Sequence, residues 1–526
     1  MQKKQKYPIG IQSFEKLRTN DYEYIDKTAF IYQMVENGSY YFLSRPRRFG
    51  KSLLIETLKS LFQGRKELFS GLYIEDKIAE WKSYPIIHIS FTNLGFETLG
   101  LEKGILKVLG KIAKQEELVI EEENVGLCFQ ELIEALKGKY KEKVVILIDE
   151  YDTPIVHYLP NDIEQAEQNK EILKSFYSVV KKLDNEIQFF LLTGITQFSK
   201  MSLFSTLNNL LNISMSPKYA ALCGYTEAEI LEHFGDKIRE MASKEGITET
   251  TYWAKIKHWY NGFNFAIKDG IPIYNPFSIL NLMESGVFSN YWFESGTPTF
   301  LVKMLRKDFH YQIDNIEMSM NRIRSFELDN IDYGTLLYQT GYITIKKNLS
   351  EDGYFLMGYP NWEVKDSMLQ WLLGEYASIH FGEAEGFIFE LRECLKQEKF
   401  ARIETIMRSF FATIPADLFK SSLENFYHAI VILMFELLGC KMQAEVGHAN
   451  GRTDAVAETD HNIYLFEFKF NRSATAAINY IYKQQYFLPH LHKNKPIFVV
   501  GVNFSEKARG IAHFKIEPLK EALIEN

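Results

Sequence analysis

Ser44-Arg45-Pro46-Arg47-Arg48-Phe49-Gly50-Lys51-Ser52 follows the apolar run Tyr40-Tyr41-Phe42-Leu43 and leads into Leu53-Leu54-Ile55-Glu56-Thr57-Leu58. A strand that empties into Gly-Lys-Ser and then a helix predicts a phosphate-binding loop. In such a loop Gly50 lets the backbone approach phosphate, Lys51 reaches the β/γ oxygens, and the Ser52 hydroxyl ligates magnesium. The helix N-terminus behind it adds partial positive charge. The usual pattern is G-x-x-x-x-G-K-S/T, and Arg45 stands where its first glycine belongs. That glycine permits a tight turn which a side chain crowds. Arg45, Pro46, Arg47 and Arg48 make a stiffer and more cationic loop, and the whole stretch Arg45 to Ser52, Phe49 included, is expected to bind the nucleotide. Guanidinium groups suit paired phosphate oxygens. Arg47 and Arg48 are the better candidates for that contact, and Arg45 is expected to serve the turn. The bland reading is a basic surface turn ahead of an ordinary helix.

A second motif weighs against the bland reading. Val144-Val145-Ile146-Leu147-Ile148-Asp149-Glu150 reads as a buried strand ending in two acids. Asp149 suits the water shell of magnesium, and Glu150 suits activation of an attacking water. Phe189-Phe190-Leu191-Leu192-Thr193-Gly194 reads as another buried strand. Thr193 at its end fits a γ-phosphate sensor or a plain strand-end threonine, and both readings stay open. Together these motifs predict nucleotide hydrolysis, with ATP and magnesium bound.

A chain of 526 residues should hold two or three domains. Its 40 Phe and 30 Tyr supply large aromatic cores and argue against disorder. No uncharged apolar run reaches membrane-spanning length; Ala429 to Cys440 comes nearest and is broken by Glu436. Met1-Gln-Lys-Lys-Gln-Lys has no apolar stretch behind its lysines, unlike a secretory signal. Cys128, Cys223, Cys394 and Cys440 lack the paired spacing of a zinc site or a disulfide framework. A cytoplasmic protein without membrane contact is expected. The net charge of −8 is uneven, because 396–526 holds 16 Lys+Arg against 14 Asp+Glu. That balance permits phosphate contact without diagnosing it.

Residues 8–215 alternate strand-like and helix-like runs, as an α/β sheet requires. Ile86 to Phe91 is a strand candidate; Leu101 to Gln115, Phe129 to Gly138 and Gln165 to Leu183 are helix candidates. Residues 216–285 read as a helical lid, helical from Thr226 to His258 and opened by the capping-box pattern Thr226-Glu-Ala-Glu. The aromatic turns Trp259 to Phe263 and Tyr274 to Ser278 read as structural. Residues 286–395 read as a helix-rich connecting region with a short β section near Tyr342 to Pro360. Residues 396–526 form the last domain.

That last domain carries a second chemistry. Gly451 to Ala457 and Ile463 to Phe470, separated by Thr459-Asp460-His461-Asn462, read as a hairpin whose first strand Asp454 begins. Glu467 and Lys469 share parity and point to one face. Asp454 and Glu467 would be oxygen ligands for magnesium or manganese, and Lys469 would position or help deprotonate a water beside a scissile phosphate. Glu424, near the start of a helix candidate at Leu423 to Leu438, offers a third carboxylate. The bland alternative is a surface ion pair made by Lys469. Against it stands the strand itself, otherwise aromatic and aliphatic, where unneeded charges are disfavoured. A helix candidate at Ala474 to Tyr486 and a strand at Pro496 to Val502 complete a minimal nuclease core.

R-P-R-R-F-G-K-S, I-D-E-Y-D-T-P, L-N-N-L (207–210), Asn275-Pro276-Phe277-Ser278, Thr340-Gly341-Tyr342 and Pro360-Asn361-Trp362-Glu363-Val364 resemble the bacterial AAA-ATPase-like proteins with a C-terminal PD-(D/E)XK nuclease domain. The resemblance covers nearly the whole chain. It implies a P-loop ATPase core with a lid and an α/β nuclease-like domain. It makes Arg45 a family trait, and it implies nucleotide roles for Lys51, Ser52, Asp149 and Glu150. Nuclease roles fall on Glu424, Asp454, Glu467 and Lys469. Tyr24-Ile25-Asp26-Lys27-Thr28 also matches and is expected near the nucleotide base. In one place the chain departs from the family: A-L-x-Q-I reads Ala477-Ile478-Asn479-Tyr480-Ile481, with Tyr480 for glutamine. The leading reading is an ATPase joined to a metal-dependent DNase, with DNA as partner and defence against foreign DNA as the suggested role. The runner-up is a nucleotide-dependent switch whose nuclease-like domain binds nucleic acid or a protein without cutting. An alternative for one of the loop arginines, a finger completing a neighbouring subunit's site, would require a homo-oligomer.

Overall fold

The computed structural model describes residues 6–159, 161–197, 209–268, 270–294, 301, 305, 313–324, 331–351, 353–379, 381–414, 423–448, 451–505, 507–508 and 510–520. They divide into two compact units, 1–300 with 313–365 and 301–312 with 366–526. The expected connecting region 286–395 is therefore shared between the units, divided after Lys365.

The first unit is built on five strands: β1 (Tyr40–Ser44), β2 (Ile86–Ser90), β3 (Val144–Asp149), β4 (Ile187–Gly194) and the two-residue β5 (Leu211–Asn212). They pair in the order β2-β3-β4-β1-β5, all parallel. Every residue of β3 is buried, because helices cover both faces of a parallel sheet and its strands read as unbroken apolar runs. Helix α1 (Lys51–Phe62) follows β1 directly and packs on β3. Helices α2 (Leu101–Gln115), α3 (Val125–Tyr140) and α4 (Ile163–Lys182) pack on one another.

The region 216–285, expected as a lid, holds α5 (Glu227–Glu245), α6 (Glu249–Tyr260) and α7 (Pro276–Ser285). The capping box at its start is present, with the Thr226 hydroxyl accepting from the Glu229 amide. Ile230, Phe234, Tyr252, Ile256 and Met283 form its core, closed by Tyr7 and Ile9 from the N-terminal segment. Short helix α8 (Tyr291–Glu294), strands β6 (Ile316–Ser319), β7 (Thr344–Ser350) and β8 (Tyr354–Gly358), and α9 (Tyr333–Thr340) also belong to the unit. The strands form an antiparallel sheet ordered β6-β8-β7. Helix α10 (Trp362–Ala377) starts in this unit.

The second unit has α11 (Phe381–Lys396), α12 (Phe400–Thr413) and α13 (Leu423–Leu437) ahead of its sheet. The strands are β9 (Lys441–His448), β10 (Gly451–Glu458), β11 (Ile463–Phe470), β12 (Ile497–Ser505) and β13 (Gly510–Pro518), with α14 (Ala474–Gln484) between β11 and β12. Their order is β13-β12-β11-β10-β9, with only the β11–β12 pair parallel. The alternation of β11 is split cleanly. Phe466 and Phe468 meet Phe435 and His428 of α13, whereas Ile463 and Leu465 pack with Ile478 and Ile481 of α14. Two expectations are corrected. Asp454 lies within β10 rather than at its start, since Gly451 to Thr453 already pair with β9. The edge strands β9 and β13 add to the expected core.

Candidate functional site

The strand order sets the nucleotide cleft. With β4 between β1 and β3, the ends of all three strands meet at one edge, where the loops of a parallel sheet diverge and leave a crevice. The cavity there has a volume of about 530 Å³, within the usual range for a bound small molecule. Arg47, Arg48, Gly50, Lys51, Ser52, Asp149 and Glu150 line it. Gly50 sits at φ 97°, the left-handed value that glycine adopts without cost, and α1 begins at the next residue.

At the floor of the cleft the Ser52 hydroxyl donates to Asp149 Oδ2 at 2.6 Å, and the Thr193 hydroxyl donates to Asp149 Oδ1 at 2.6 Å. Asp149 is thus held from both sides by short side chains whose geometry is fixed by three adjacent elements. Ser52 and Asp149 form an oxygen donor pair of the kind a hard cation such as magnesium takes. Lys51 is buried, its ammonium donating to the carbonyls of Arg45 and Pro46 at 2.9 and 3.0 Å. Burial lowers its pKa, opposed by the charges of Asp149, Glu150 and Asp152. Glu150, at φ 53°, turns out of line with β3 and accepts from the Thr92 hydroxyl.

Arg45, Pro46, Phe49 and Thr193 do not line the cavity. The Arg45 side chain, 1% exposed, turns inward and donates to the carbonyls of Ser44, Ser214 and Tyr219 at 2.9, 2.6 and 3.1 Å. Its guanidinium lies 4.3 Å over the Phe265 ring. Phe49 packs against Phe263 and Phe265 with ring centroids 4.8 and 5.2 Å apart. Thr193 touches the site only through Asp149. A narrower, largely apolar recess shares Gly50, Leu53 and Tyr225 with the cleft and is lined by Tyr24, Ile25 and Lys27 of the segment expected near the base. Lys27 is fixed there by Glu229 at 2.6 Å.

Two residues escape sequence reasoning. Thr92 sits in a turn after β2 and carries no motif. Asp152, 1% exposed, accepts from the amides of Ile195 and Thr196 at 3.0 and 2.6 Å and from the Thr196 hydroxyl at 2.6 Å. Burial raises its pKa against those hydrogen bonds. It ties the segment after the acidic strand to the segment after Thr193. Its place inside I-D-E-Y-D-T-P is the signal that could have found it.

In the second unit, Asp454, Glu467 and Lys469 share one face. Val456, two residues from Asp454, and Leu465, two from Glu467, both pack in the cluster on the α14 side. Asp454 Oδ2 accepts from the Phe468 amide at 2.7 Å, and Lys469 pairs with Glu467, which is 2% exposed. Gly501 is the register partner of Glu467 on β12, and a Cβ there would lie 2.1 Å from the Ala474 carbonyl oxygen. The absent side chain lets the start of α14 close on the sheet. Tyr480 of α14 stands over Lys469, whose ammonium is 4.6 Å from the ring centroid. Tyr480 also meets Tyr486, whose hydroxyl is pushed up to about 12 by burial and by its contact with Tyr480. Two carboxylates on one face suit a hard divalent cation in donor type. Among the described residues no three His, Cys, Asp or Glu are grouped to hold a metal. Glu424 lies in the first turn of α13, on the opposite side of the sheet from α14; its side chain is outside the described residues, as are Leu207 and Asn208 of the L-N-N-L string.

A P-loop cleft on a parallel sheet, joined in one chain to a second α/β unit carrying an acid–acid–lysine face, defines an ATPase-like module with a nuclease-type domain. Comparison with known proteins agrees. A family model described as "Predicted AAA-ATPase" matches residues 8–204, and one for the PD-(D/E)XK nuclease superfamily matches 422–514. An uncharacterized protein in the vnfD 5′ region of Azotobacter chroococcum mcd 1 is 36% identical over 540 residues, spanning 98% of this chain and 99% of that protein. No solved structure matches significantly. The chain belongs to the family of predicted AAA-ATPases with a C-terminal PD-(D/E)XK nuclease superfamily domain. Among the described residues no helix is long and apolar enough to cross a membrane.

Proposed function

We propose that the first unit binds and hydrolyses ATP, and that the second is a metal-dependent DNase whose action depends on that hydrolysis. The observation that carries the first half is the hydrogen-bonded line Ser52–Asp149–Thr193 at the floor of a triphosphate-sized cleft, with Lys51 beside it. In this reading Lys51 leaves the Arg45 and Pro46 carbonyls and meets the β/γ-phosphates. Glu150, steadied by Thr92, takes the proton of the attacking water. Arg47 and Arg48 hold phosphate oxygens from the rim. Magnesium, held by Ser52 and Asp149, would supply charge neutralisation at the phosphates. A cytoplasmic role in defence against foreign DNA fits the pairing of the two domains.

The test is phosphate release by the purified chain. Lys51→Ala is expected to lower turnover or ATP affinity at least about tenfold, equivalent to about 1.4 kcal/mol. Unchanged turnover together with unchanged affinity by calorimetry removes the reading. DNA and RNA substrates, offered with magnesium or manganese and with or without ATP, test the second half. A specific contact favours the second reading, in which the nuclease-like domain binds without cutting. Lys469 is engaged by Glu467 and covered by Tyr480, so the lysine is not poised toward a water. DNA binding without cleavage under all these conditions establishes that reading.

A further inference from the structure

Three motifs have no part in the nucleotide chemistry: Asn275-Pro276-Phe277-Ser278, Thr340-Gly341-Tyr342 and Pro360-Asn361-Trp362-Glu363-Val364. They lie far apart in sequence, yet each is linked to the phosphate loop: Phe277 to Arg48, Gly341 to Pro46, and Glu363 to Arg47 through Trp292. The Trp292 indole N–H donates to the Arg47 carbonyl at 3.0 Å. Gly341, at φ 92°, ends α9 against Pro46, where a Cβ would lie 2.6 Å from the proline Cγ. Tyr342 packs on Trp292 with ring centroids 5.2 Å apart. The Phe277 ring lies under the Arg48 guanidinium at 5.0 Å.

Glu363 joins these pieces. It is 0% exposed, accepts the Trp292 backbone N–H at 2.7 Å, and accepts the Ser278 hydroxyl at 2.8 and 3.0 Å. Asn275 caps α7 through the Phe277 and Ser278 amides, and Asn361 accepts from the Val364 amide at the start of α10. One buried carboxylate therefore fixes the first turns of two helices and the tryptophan that holds the loop carbonyl. Burying a carboxylate is costly unless donors surround it, so a purely apolar packing role would not need one.

We propose that Glu363 is a positioning residue for the nucleotide site. Through Trp292 and Ser278 it holds the Pro46–Arg48 backbone in the shape that receives the phosphates of a nucleoside triphosphate. The proposal deepens the nucleotide reading and rests on it for its ligand, but its mechanical part is measurable without nucleotide.

The experiment is amide hydrogen exchange on the full-length chain, beside calorimetry with ATP and with adenosine. Glu363→Leu should speed exchange in peptides spanning 44–52 by about tenfold while leaving α5 protected. It should weaken ATP about tenfold and leave adenosine binding unchanged, because the braced Pro46–Arg48 segment is assigned to the phosphates alone. Glu363→Gln, which keeps an acceptor, should fall between Glu363→Leu and the natural chain. Trp292→Phe keeps the ring packing and removes the indole donor, so it decides the matter if Glu363→Leu fails to fold. Loop exchange unchanged in Trp292→Phe or in a folded Glu363→Leu overturns the proposal. A natural chain that binds no ATP sinks the nucleotide reading instead, and loop exchange then still reports on the brace.

Discussion

The nucleotide cleft and the acid–lysine face of the second unit are assembled on opposite plans. In the cleft each functional side chain comes from the end of a strand or the start of a helix: Ser52 after β1, Asp149 at the end of β3, Thr193 near the end of β4. Parallel strands diverge there, so the chemistry sits in an open crevice. In the second unit Asp454, Glu467 and Lys469 lie within the antiparallel pair β10–β11, set on one face by the pleat and covered by α14. A cleft of strand ends lies open, and here only Lys51, turned to the Arg45 and Pro46 carbonyls, would have to move to meet phosphate. A face made within strands is set by alternation and opened or shut by what lies on it, here Tyr480.

The largest expected effect is on stability. Arg45→Ala strands the carbonyls of Ser214 and Tyr219 in the interior and leaves a void over Phe265, which should cost about 3 kcal/mol in urea unfolding. A loss no larger than that of an exposed arginine would show that the loop does not need its inward anchor. Next comes Glu150→Gln, expected to slow ATP turnover about a hundredfold while ATP still binds. Turnover at the natural rate would exclude Glu150 as the base.

On the other site effects should be smaller. Tyr480→Gln removes a ring worth about 0.5–1 kcal/mol over Lys469, so manganese-dependent DNA cleavage should rise about threefold. Cleavage that appears only in the variant identifies Tyr480 as the block; no change in either chain separates the ring from the chemistry. The smallest effect is at the hairpin end. Glu458 is lowered to about 2 by Lys493 and Lys495. A depressed carboxylate stabilises the fold above its unfolded value, near pH 4.5, and loses that contribution as pH falls toward 2. Because these side chains meet water, the contribution should stay under about 1 kcal/mol. The stability difference between the natural chain and Glu458→Gln should narrow from pH 5 to pH 3. A gap that widens instead would contradict the pairing.

Legibility followed burial. β3 and α2 appear at the expected positions, because strands buried on both faces and strongly amphipathic helices leave unmistakable patterns. β9 and β13 escape the sequence reading although Lys441-Met-Gln-Ala-Glu and His513-Phe-Lys-Ile-Glu alternate, because each stretch offers only two apolar residues and lies at a sheet edge. Gly451-Arg452-Thr453 resembles a turn in sequence, and pairing with β9 makes it strand, which moves Asp454 from the start of β10 to its interior. The phosphate loop and its acids were plain from spacing, whereas Thr92 and Asp152 act through contacts that only the fold creates. Glu363 reads locally as a surface acid at a helix start, and its burial depends on residues more than seventy positions away.

The inward turn of Arg45 also constrains how this loop can change over evolutionary time. Its partners are backbone carbonyls at Ser44, Ser214 and Tyr219, which no substitution at those positions can delete. A single step to glycine at position 45 would leave those acceptors without their donor before any compensating change could arise. The path is open only if the 214–219 segment is rebuilt in the same lineage. An arginine in this place thus acts as a ratchet, and a chain with glycine there would have to satisfy the same carbonyls by other means.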